Sequence, residues 1–168
     1  RCRGKIVKGL RKGARRPKDF EKYDVKKIGI LGAGLMGAGI AYVTAKAGIE
    51  VVLIDMDQSA AEKGKEYSTK ILDKQLSKKK TTEEKKEKLL SLITPTTDYS
   101  LLQGADLIVE AVFENRDIKA EVTAKAEAQI AETAVFGSNT STLPITGLAQ
   151  NSSRPANFIG VHYFSPVE

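Results

Sequence analysis

The sequence predicts an α/β fold in which helices cover both faces of a doubly wound parallel sheet. Three observations support this prediction. Short apolar runs alternate with segments of helical periodicity, a glycine-rich turn joins the first run to the first helix, and two-residue hairpin signals are absent. A length of 168 residues suits one domain or slightly more, and a hydrophobic fraction of 41% is enough to build a core.

The first strand–helix–strand unit spans residues 26–55. An apolar run is followed by a helix predicted over residues 35–47, which Gly48 ends. A second apolar run, residues 51–54, closes the unit. The rest of the chain is predicted to extend the sheet that this unit begins.

The turn of this unit carries the pattern G-x-G-x-x-G at Gly32, Gly34 and Gly37, and Asp55 lies 23 residues past the first glycine. The glycines permit a tight turn, close approach of a diphosphate and close helix packing, and the acid suits a ribose hydroxyl. The helix start would add free N–H groups and the positive end of a dipole. The pattern favours a Rossmann-type dinucleotide site over a packing turn without a ligand, with these loop residues around the diphosphate: Gly32, Ala33, Gly34, Leu35, Met36 and Gly37.

Two helices are predicted after the second strand. Asp57 or Ser59 is suited to cap the first, which continues with helical spacing to about residue 76. Thr81 and Glu84 match a capping box for the second, which would end near residue 92. The basic cluster between them, residues 78–80, is either a solvated turn or a contact for phosphate groups.

The remaining chain again alternates. A helical turn is expected over residues 99–102, a helix with a packed face at every fourth position over 118–130, and a short helix from Pro144 and Ile145. The strands predicted here are residues 93–97, 106–112, 134–137 and 158–164.

The basic character of the chain belongs to its first residues. Residues 1–27 hold 12 of the 27 Lys and Arg residues but only 3 of the 21 Asp and Glu residues. We interpret residues 1–25 as a basic interdomain linker and residues 26–168 as the folded domain. A nucleic-acid-binding arm is the alternative, but the segment lacks interleaved aromatic residues. Cys2 is the single cysteine, so no internal disulfide forms. No apolar run is long enough for a membrane span, and no signal peptide is evident.

Polar side chains follow three predicted strands, where a parallel sheet gathers its ligands. They are Glu114 and Lys119, then Asn139 and Ser141, then His162. His162 is the single histidine, and an imidazole exchanges protons near neutral pH, which suits the oxidation of an alcohol. The alternative for His162 is an inert imidazole, and the alternative for the cluster that holds Asn139 and Ser141 is a loop cap. No Cys/His spacing indicates a metal, and no G-x-S-x-G elbow makes Ser141 a hydrolase nucleophile.

Four motifs in order resemble the NAD-binding domain of L-3-hydroxyacyl-CoA dehydrogenases. They are GAGLMGAG at residues 32–39, VEAVFEN at 109–115, SNTSTLPI at 138–145 and HYFSPVE at 162–168. Serine rather than asparagine before the proline is most like the multifunctional enzymes of fatty-acid β-oxidation, of the mitochondrial trifunctional type. The resemblance runs from about Lys26 to the last residue.

The resemblance implies NAD as the cofactor and a role for each site residue. Asp55 would hold the adenosine ribose and disfavour NADP. Glu114, Lys119, Asn139 and Ser141 would contact the cofactor.

It also implies 3-hydroxyacyl-CoA as the substrate. Ser141 would touch the substrate as well as the nicotinamide, and His162 would be the general base that takes the 3-hydroxyl proton. Lys78 would help to bind CoA, while a serine expected earlier on that helix is replaced by Ile71.

The resemblance further implies what surrounds the domain. In the family a Glu about a dozen residues further on orients the histidine, and an all-helical domain follows; both would lie after Glu168. We therefore expect this polypeptide to bind NAD but to turn over very slowly, and to self-associate, as in a homodimer. An upstream enoyl-CoA hydratase domain, a thiolase partner subunit and a mitochondrial location are also implied, with peroxisome or bacterial cytoplasm as alternatives.

Two other functions remain open from the residues. Another β-hydroxyacid dehydrogenase would place a catalytic Lys where His162 stands. A non-catalytic nucleotide-binding module would keep the glycines and lose His162 or Ser141, yet both are present.

Overall fold

A computed structural model describes residues 17–167. Cys2 and most of the predicted basic linker therefore lie outside the described residues, as does Glu168. Within that range the chain forms six parallel strands in the order β3-β2-β1-β4-β5-β6. The strands are β1 (Lys27–Leu31), β2 (Glu50–Ile54), β3 (Ile93–Thr96), β4 (Leu107–Glu110), β5 (Val135–Ser138) and β6 (Phe158–Gly160). The predicted doubly wound Rossmann-type sheet is confirmed.

The helices connect successive strands. They are α1 (Leu35–Lys46), α2 (Gln58–Ser77), α3 (Glu83–Ser91), α4 (Arg116–Glu127) and α5 (Ile145–Ala149), with 3₁₀ turns at Tyr99–Leu102 and Pro155–Asn157. The strand order reverses between β1 and β4, which pair in parallel from Ile28↔Leu107 to Leu31↔Glu110. In an open α/β sheet this reversal is where ligands bind, outside the carboxyl ends of the strands.

The sheet has a hydrophobic core on each face. On one face Ile30 and Leu53 pack with Ile40 of α1. On the other face Ile108 packs with Phe136, whose ring stacks on Phe158 of the next strand at 5.1 Å. Burial on both faces explains why these strands read as continuous apolar runs.

Side-chain caps set the helix starts. Asp57 accepts from Ala60 N at the start of α2, as one of the two predicted caps. The capping box predicted at Thr81 is wrong by one residue, since Thr82 accepts from Lys85 N. The turn that ends α2 runs further than expected: Lys79 has φ 54, and Lys80 N still bonds to Gln75 O.

β3 ends one residue early, and β4 and β6 are much shorter than predicted, because side chains take over the backbone hydrogen bonds at the ends of these two strands. After Glu110 the chain turns away from β4 as Val112 N donates to the Glu110 carboxylate. After Gly160, Tyr163 N donates to the Asn139 side chain. Ile118, expected on the packed face of its helix, is 41% exposed.

The residues before β1 are tied to the amino edge of the sheet. Backbone N–H groups of Lys26 and Lys27 both donate to Asp106 Oδ2, at 2.7 and 3.0 Å. The Tyr23 hydroxyl donates to Asp106 O at 2.8 Å. Burial and the nearby Asp106 charge raise the pKa of that phenol. Across residues 17–167 no helix is both long and apolar enough to cross a membrane.

Candidate functional site

The glycine-rich loop between β1 and α1 has no room for a side chain at two of its glycines and has open space around the third. Gly32 has φ +95, and a Cβ there would meet Ala111 O at 2.7 Å. A Cβ on Gly37 would lie 1.7 Å from Gly32 O. Around Gly34 there is nothing within 4 Å of the added atom. The first and last glycines therefore shape the turn, while the middle one leaves a clear approach to the backbone.

The start of α1 faces that clear space. Gly34 caps the helix without a side-chain hydrogen bond, and the first turn carries no acidic residue. The N–H groups of a first turn have no partner within the helix and carry the positive end of its dipole. An anionic group fits this cradle.

Asp55 fixes the loop from the end of β2. Its Oδ2 accepts from Ala33 N at 2.6 Å, and its Oδ1 accepts from Met56 N at 2.7 Å. Each oxygen keeps a second lone pair, so the carboxylate can also accept from a hydroxyl of a ligand.

A second part of the site lies at the carboxyl ends of β4 and β5 and is built from side chains. Glu110, at the end of β4, is buried and accepts from Lys119 Nζ at 2.7 and 3.0 Å. The same carboxylate accepts from Ser138 Oγ of β5 at 2.6 Å and from Val112 N at 2.8 Å. Lys119, predicted as a cofactor contact, thus has its ammonium enclosed in an ion pair.

Glu114 lies beside this pair and holds the loop after β5. It accepts from Thr140 Oγ1 at 2.9 Å and from Ser141 N at 2.9 Å, and Lys119 Nζ is 3.5 Å away. Burial opposes ionisation of Glu114, but the hydrogen bonds from Ser141 and Thr140 and the Lys119 charge outweigh it. The pKa of Glu114 therefore lies below its ordinary value. Glu114 and Ser141, each predicted to contact the cofactor, are thus in contact with each other.

Asn139 connects this loop to the segment that carries His162. Its backbone N donates to Glu110 O at 2.7 Å, and its Oδ1 accepts from Tyr163 N at 2.9 Å. His162 is exposed, and its ring stacks on Phe164 at 4.7 Å. Among residues 17–167 no carboxylate lies within hydrogen-bonding or ion-pair distance of the imidazole.

Lys78 lies apart from these groups. It is the exposed C-cap residue of α2, a helix of 20 residues that starts beside Asp55. Gly64 of this helix packs against Ala33 of the glycine loop, and the stretch from Gly64 to Lys78 rises about 21 Å along the helix axis. Ile71 is half-buried on the same helix.

Sequence reasoning missed Glu110. The signal was an acid inside an otherwise apolar strand, LIVE, with a lysine nine residues later on the following helix. Buried carboxylates are rare unless paired, so the position itself indicated a partner. No group of three metal-ligating side chains occurs within the described part of the chain.

The two parts lie at one edge of the sheet. The arrangement can hold a diphosphate on backbone amides, a ribose on Asp55, and a reacting hydroxyl near an imidazole.

Comparisons with known proteins identify the family and the fold. Residues 27–168 match the sequence profile described as the 3-hydroxyacyl-CoA dehydrogenase NAD binding domain. The fold is similar to that of (S)-3-hydroxybutyryl-CoA dehydrogenase PaaH1 from Ralstonia eutropha, with 38% identity, a TM-score of 0.81, and coverage of 86% of this chain and 51% of the other.

Two further structures are similar. FadB2 of M. tuberculosis has 36% identity and a TM-score of 0.81, with 86% of this chain and 51% of that one covered. The dehydrogenase part of multifunctional enzyme 1 from C. elegans has 32% identity and a TM-score of 0.75, with 88% and 34% covered. The chain thus spans about half the length of the first two structures and a third of the last.

Proposed function

This chain belongs to the 3-hydroxyacyl-CoA dehydrogenase family, whose NAD-binding domain it matches, and we propose that it takes part in the NAD-dependent oxidation of L-3-hydroxyacyl-CoA to 3-oxoacyl-CoA. The observation that carries this proposal is the open backbone cradle at Gly34, which lies at the same sheet edge as the segment bearing His162. The cradle fits a dinucleotide diphosphate because it offers amides and no Cβ.

Cofactor choice would rest on Asp55. Its carboxylate is already oriented by Ala33 N and Met56 N, so it can accept from ribose hydroxyls without reorganising. A 2′-phosphate there would meet a fixed negative charge, which favours NAD over NADP.

Proton transfer would rest on His162. NAD, when bound, supplies the acceptor for the hydride that leaves C3 of the substrate. The imidazole takes the proton of the 3-hydroxyl, so that the C–O single bond becomes a carbonyl. Ser141, held by Glu114, would donate to the same oxygen and touch the nicotinamide.

Turnover by these residues alone would be slow. The imidazolium that forms has no carboxylate partner among residues 17–167, and such a partner normally stabilises it. Steady-state reduction of acetoacetyl-CoA by NADH should therefore be far slower than for a complete family member. A rate equal to that of a complete enzyme would contradict this expectation.

The same proposal includes the neighbouring domains, the partner subunit, the location and the oligomeric state of the protein. The polypeptide would be one domain of a multifunctional β-oxidation enzyme, with an enoyl-CoA hydratase domain before it, a thiolase partner subunit and a mitochondrial location. Residues 1–25 would be the linker, Lys78 would bind CoA, and the chain would form a homodimer. The similarity to a multifunctional dehydrogenase supports the first of these.

The deciding experiment is a fluorescence titration with NADH beside NADPH. The natural chain should prefer NADH by at least about tenfold, and Asp55→Ala should lose most of that preference. Equal affinity for both cofactors in the natural chain would remove the role of Asp55, and absence of NADH binding would refute the proposal.

A further inference from the structure

The buried carboxylate of Glu110 occupies a central position in the side-chain part of the site. It is 1% exposed and accepts four hydrogen bonds from three structural elements. Val112 N belongs to the turn after β4, Lys119 to α4 and Ser138 to β5. The turn after β4 also carries Glu114, and β5 leads directly into the loop that carries Ser141.

The first connection runs through Lys119 to Glu114. The Lys119 side chain is 2% exposed, and its Nζ lies 2.7 Å from Glu110 Oε1 and 3.5 Å from Glu114 Oε2. Two carboxylates this close would repel each other without the cation between them. Lys119 therefore adds to the hydrogen bonds from Ser141 and Thr140 in keeping Glu114 charged, and Glu110 fixes Lys119.

The second connection runs through Ser138 to the loop after β5. Ser138 donates to Glu110 directly before Asn139, whose backbone N donates to Glu110 O. Glu114 receives Ser141 N two residues further on. The loop that carries Ser141 is thus held at both ends by the same network.

We propose that Glu110 is a positioning residue for the cofactor and substrate site, acting through Lys119 and Glu114 on Ser141. This inference rests on the proposed function, because it concerns the same site. Glu110 itself touches neither cofactor nor substrate in this mechanism.

The chain offers a matched control in Glu127, a second buried carboxylate. Glu127 is 5% exposed and accepts from Ser152 Oγ, Ser153 N and Ser153 Oγ. It ends α4, which starts at the carboxyl edge and runs about 18 Å toward the amino edge. Its hydrogen bonds resemble those of Glu110, but its position is remote from the site.

The test compares Glu110→Gln with Glu127→Gln in the whole chain, by NADH titration at a temperature where circular dichroism shows both folded. Both variants should lower Tm. Glu110→Gln should weaken NADH binding by about tenfold or more, while Glu127→Gln should stay within about twofold of the natural chain. Unchanged affinity in Glu110→Gln, or an equal loss in Glu127→Gln, would overturn the inference.

The double variant Glu110→Gln/Lys119→Met separates positioning from simple relief of a buried charge. It should recover part of the lost Tm, because neither buried charge of the ion pair remains, yet keep the weakened affinity. Full recovery of affinity would show that the ion pair positions nothing. If Glu110→Gln does not fold, Ser138→Ala decides, with about threefold weaker binding expected and natural affinity contradicting the inference.

A nuclear magnetic resonance readout detects the connection itself. The amide shift of Ser141 should report the titration of Glu114, and the pKa so measured should rise in the double variant but not in Glu127→Gln. An unmoved pKa would contradict the connection through Lys119. If the natural chain failed to bind NADH, the proposed function would fall too; if only the Glu110 variants behaved like the natural chain, this inference alone would fall.

Discussion

The two parts of the site are built by different means. The β1–α1–β2 part holds its ligand space with backbone, since two of its glycines exclude side chains and the third leaves the approach clear. The β4–α4–β5 part depends on side chains that reach across elements, such as Glu110, Lys119 and Glu114. A backbone site is set by a few local residues, whereas a side-chain site requires the whole sheet to be assembled first.

The largest effect should come from Gly37→Val. A Cβ at this position lies 1.7 Å from Gly32 O, so the loop and α1 cannot pack as they do. We expect NADH binding to be lost and unfolding to become easier by about 3 kcal/mol or more. Chemical denaturation and fluorescence titration measure the two quantities.

Gly34→Ala is the matched control for that prediction. Its added methyl group meets nothing within 4 Å, so stability should stay within about 0.5 kcal/mol of the natural chain. NADH affinity should still fall, because the methyl group stands where the diphosphate approaches. Natural NADH affinity in Gly34→Ala would show that no ligand uses this cradle.

The next effect concerns the side-chain part. His162→Gln should lower the rate of acetoacetyl-CoA reduction by about 10²-fold to 10⁴-fold, since a general base is removed. NADH affinity should change little, because the imidazole is exposed and contacts Phe164 rather than the glycine loop. Single-turnover kinetics at high enzyme concentration separates the two, and an unchanged rate would exclude His162 as the base.

The smallest effect should be in acid. The pKa of folded Glu114 lies below its ordinary value of 4.5, so its contribution to stability is complete above that pH. The contribution is lost as the pH falls through the lower, folded pKa. Glu114→Gln should flatten the pH dependence of Tm in this window, and Thr140→Val should do so less. Curves that coincide with that of the natural chain would contradict the assigned hydrogen bonds.

The contrast also explains what could be predicted from the sequence. The sheet, its helices and the roles of Gly32 and Gly37 follow from local patterns, because turn chemistry and apolar periodicity act over a few residues. The predicted cap of α3 is wrong by one residue, Thr81 instead of Thr82, because the sequence does not show how far the turn after α2 continues.

For the side-chain part, the sequence predicted only that polar residues gather at the carboxyl ends of the strands. The sequence brings Glu114 and Ser141 to one edge, but it does not show that one holds the other. Glu110 and the early end of β6 were missed for the same reason. Each depends on a side-chain contact that the local pattern does not reveal, because it joins residues that are distant in the chain or that flank the end of a strand.

The tie formed by Asp106 with Tyr23, Lys26 and Lys27 fixes the direction in which the polypeptide enters the sheet. That entry lies at the amino ends of the strands, opposite the mouth of the crevice. The residues that lead into β1 therefore run on the side of the sheet away from the glycine loop, and they leave the carboxyl edge uncovered.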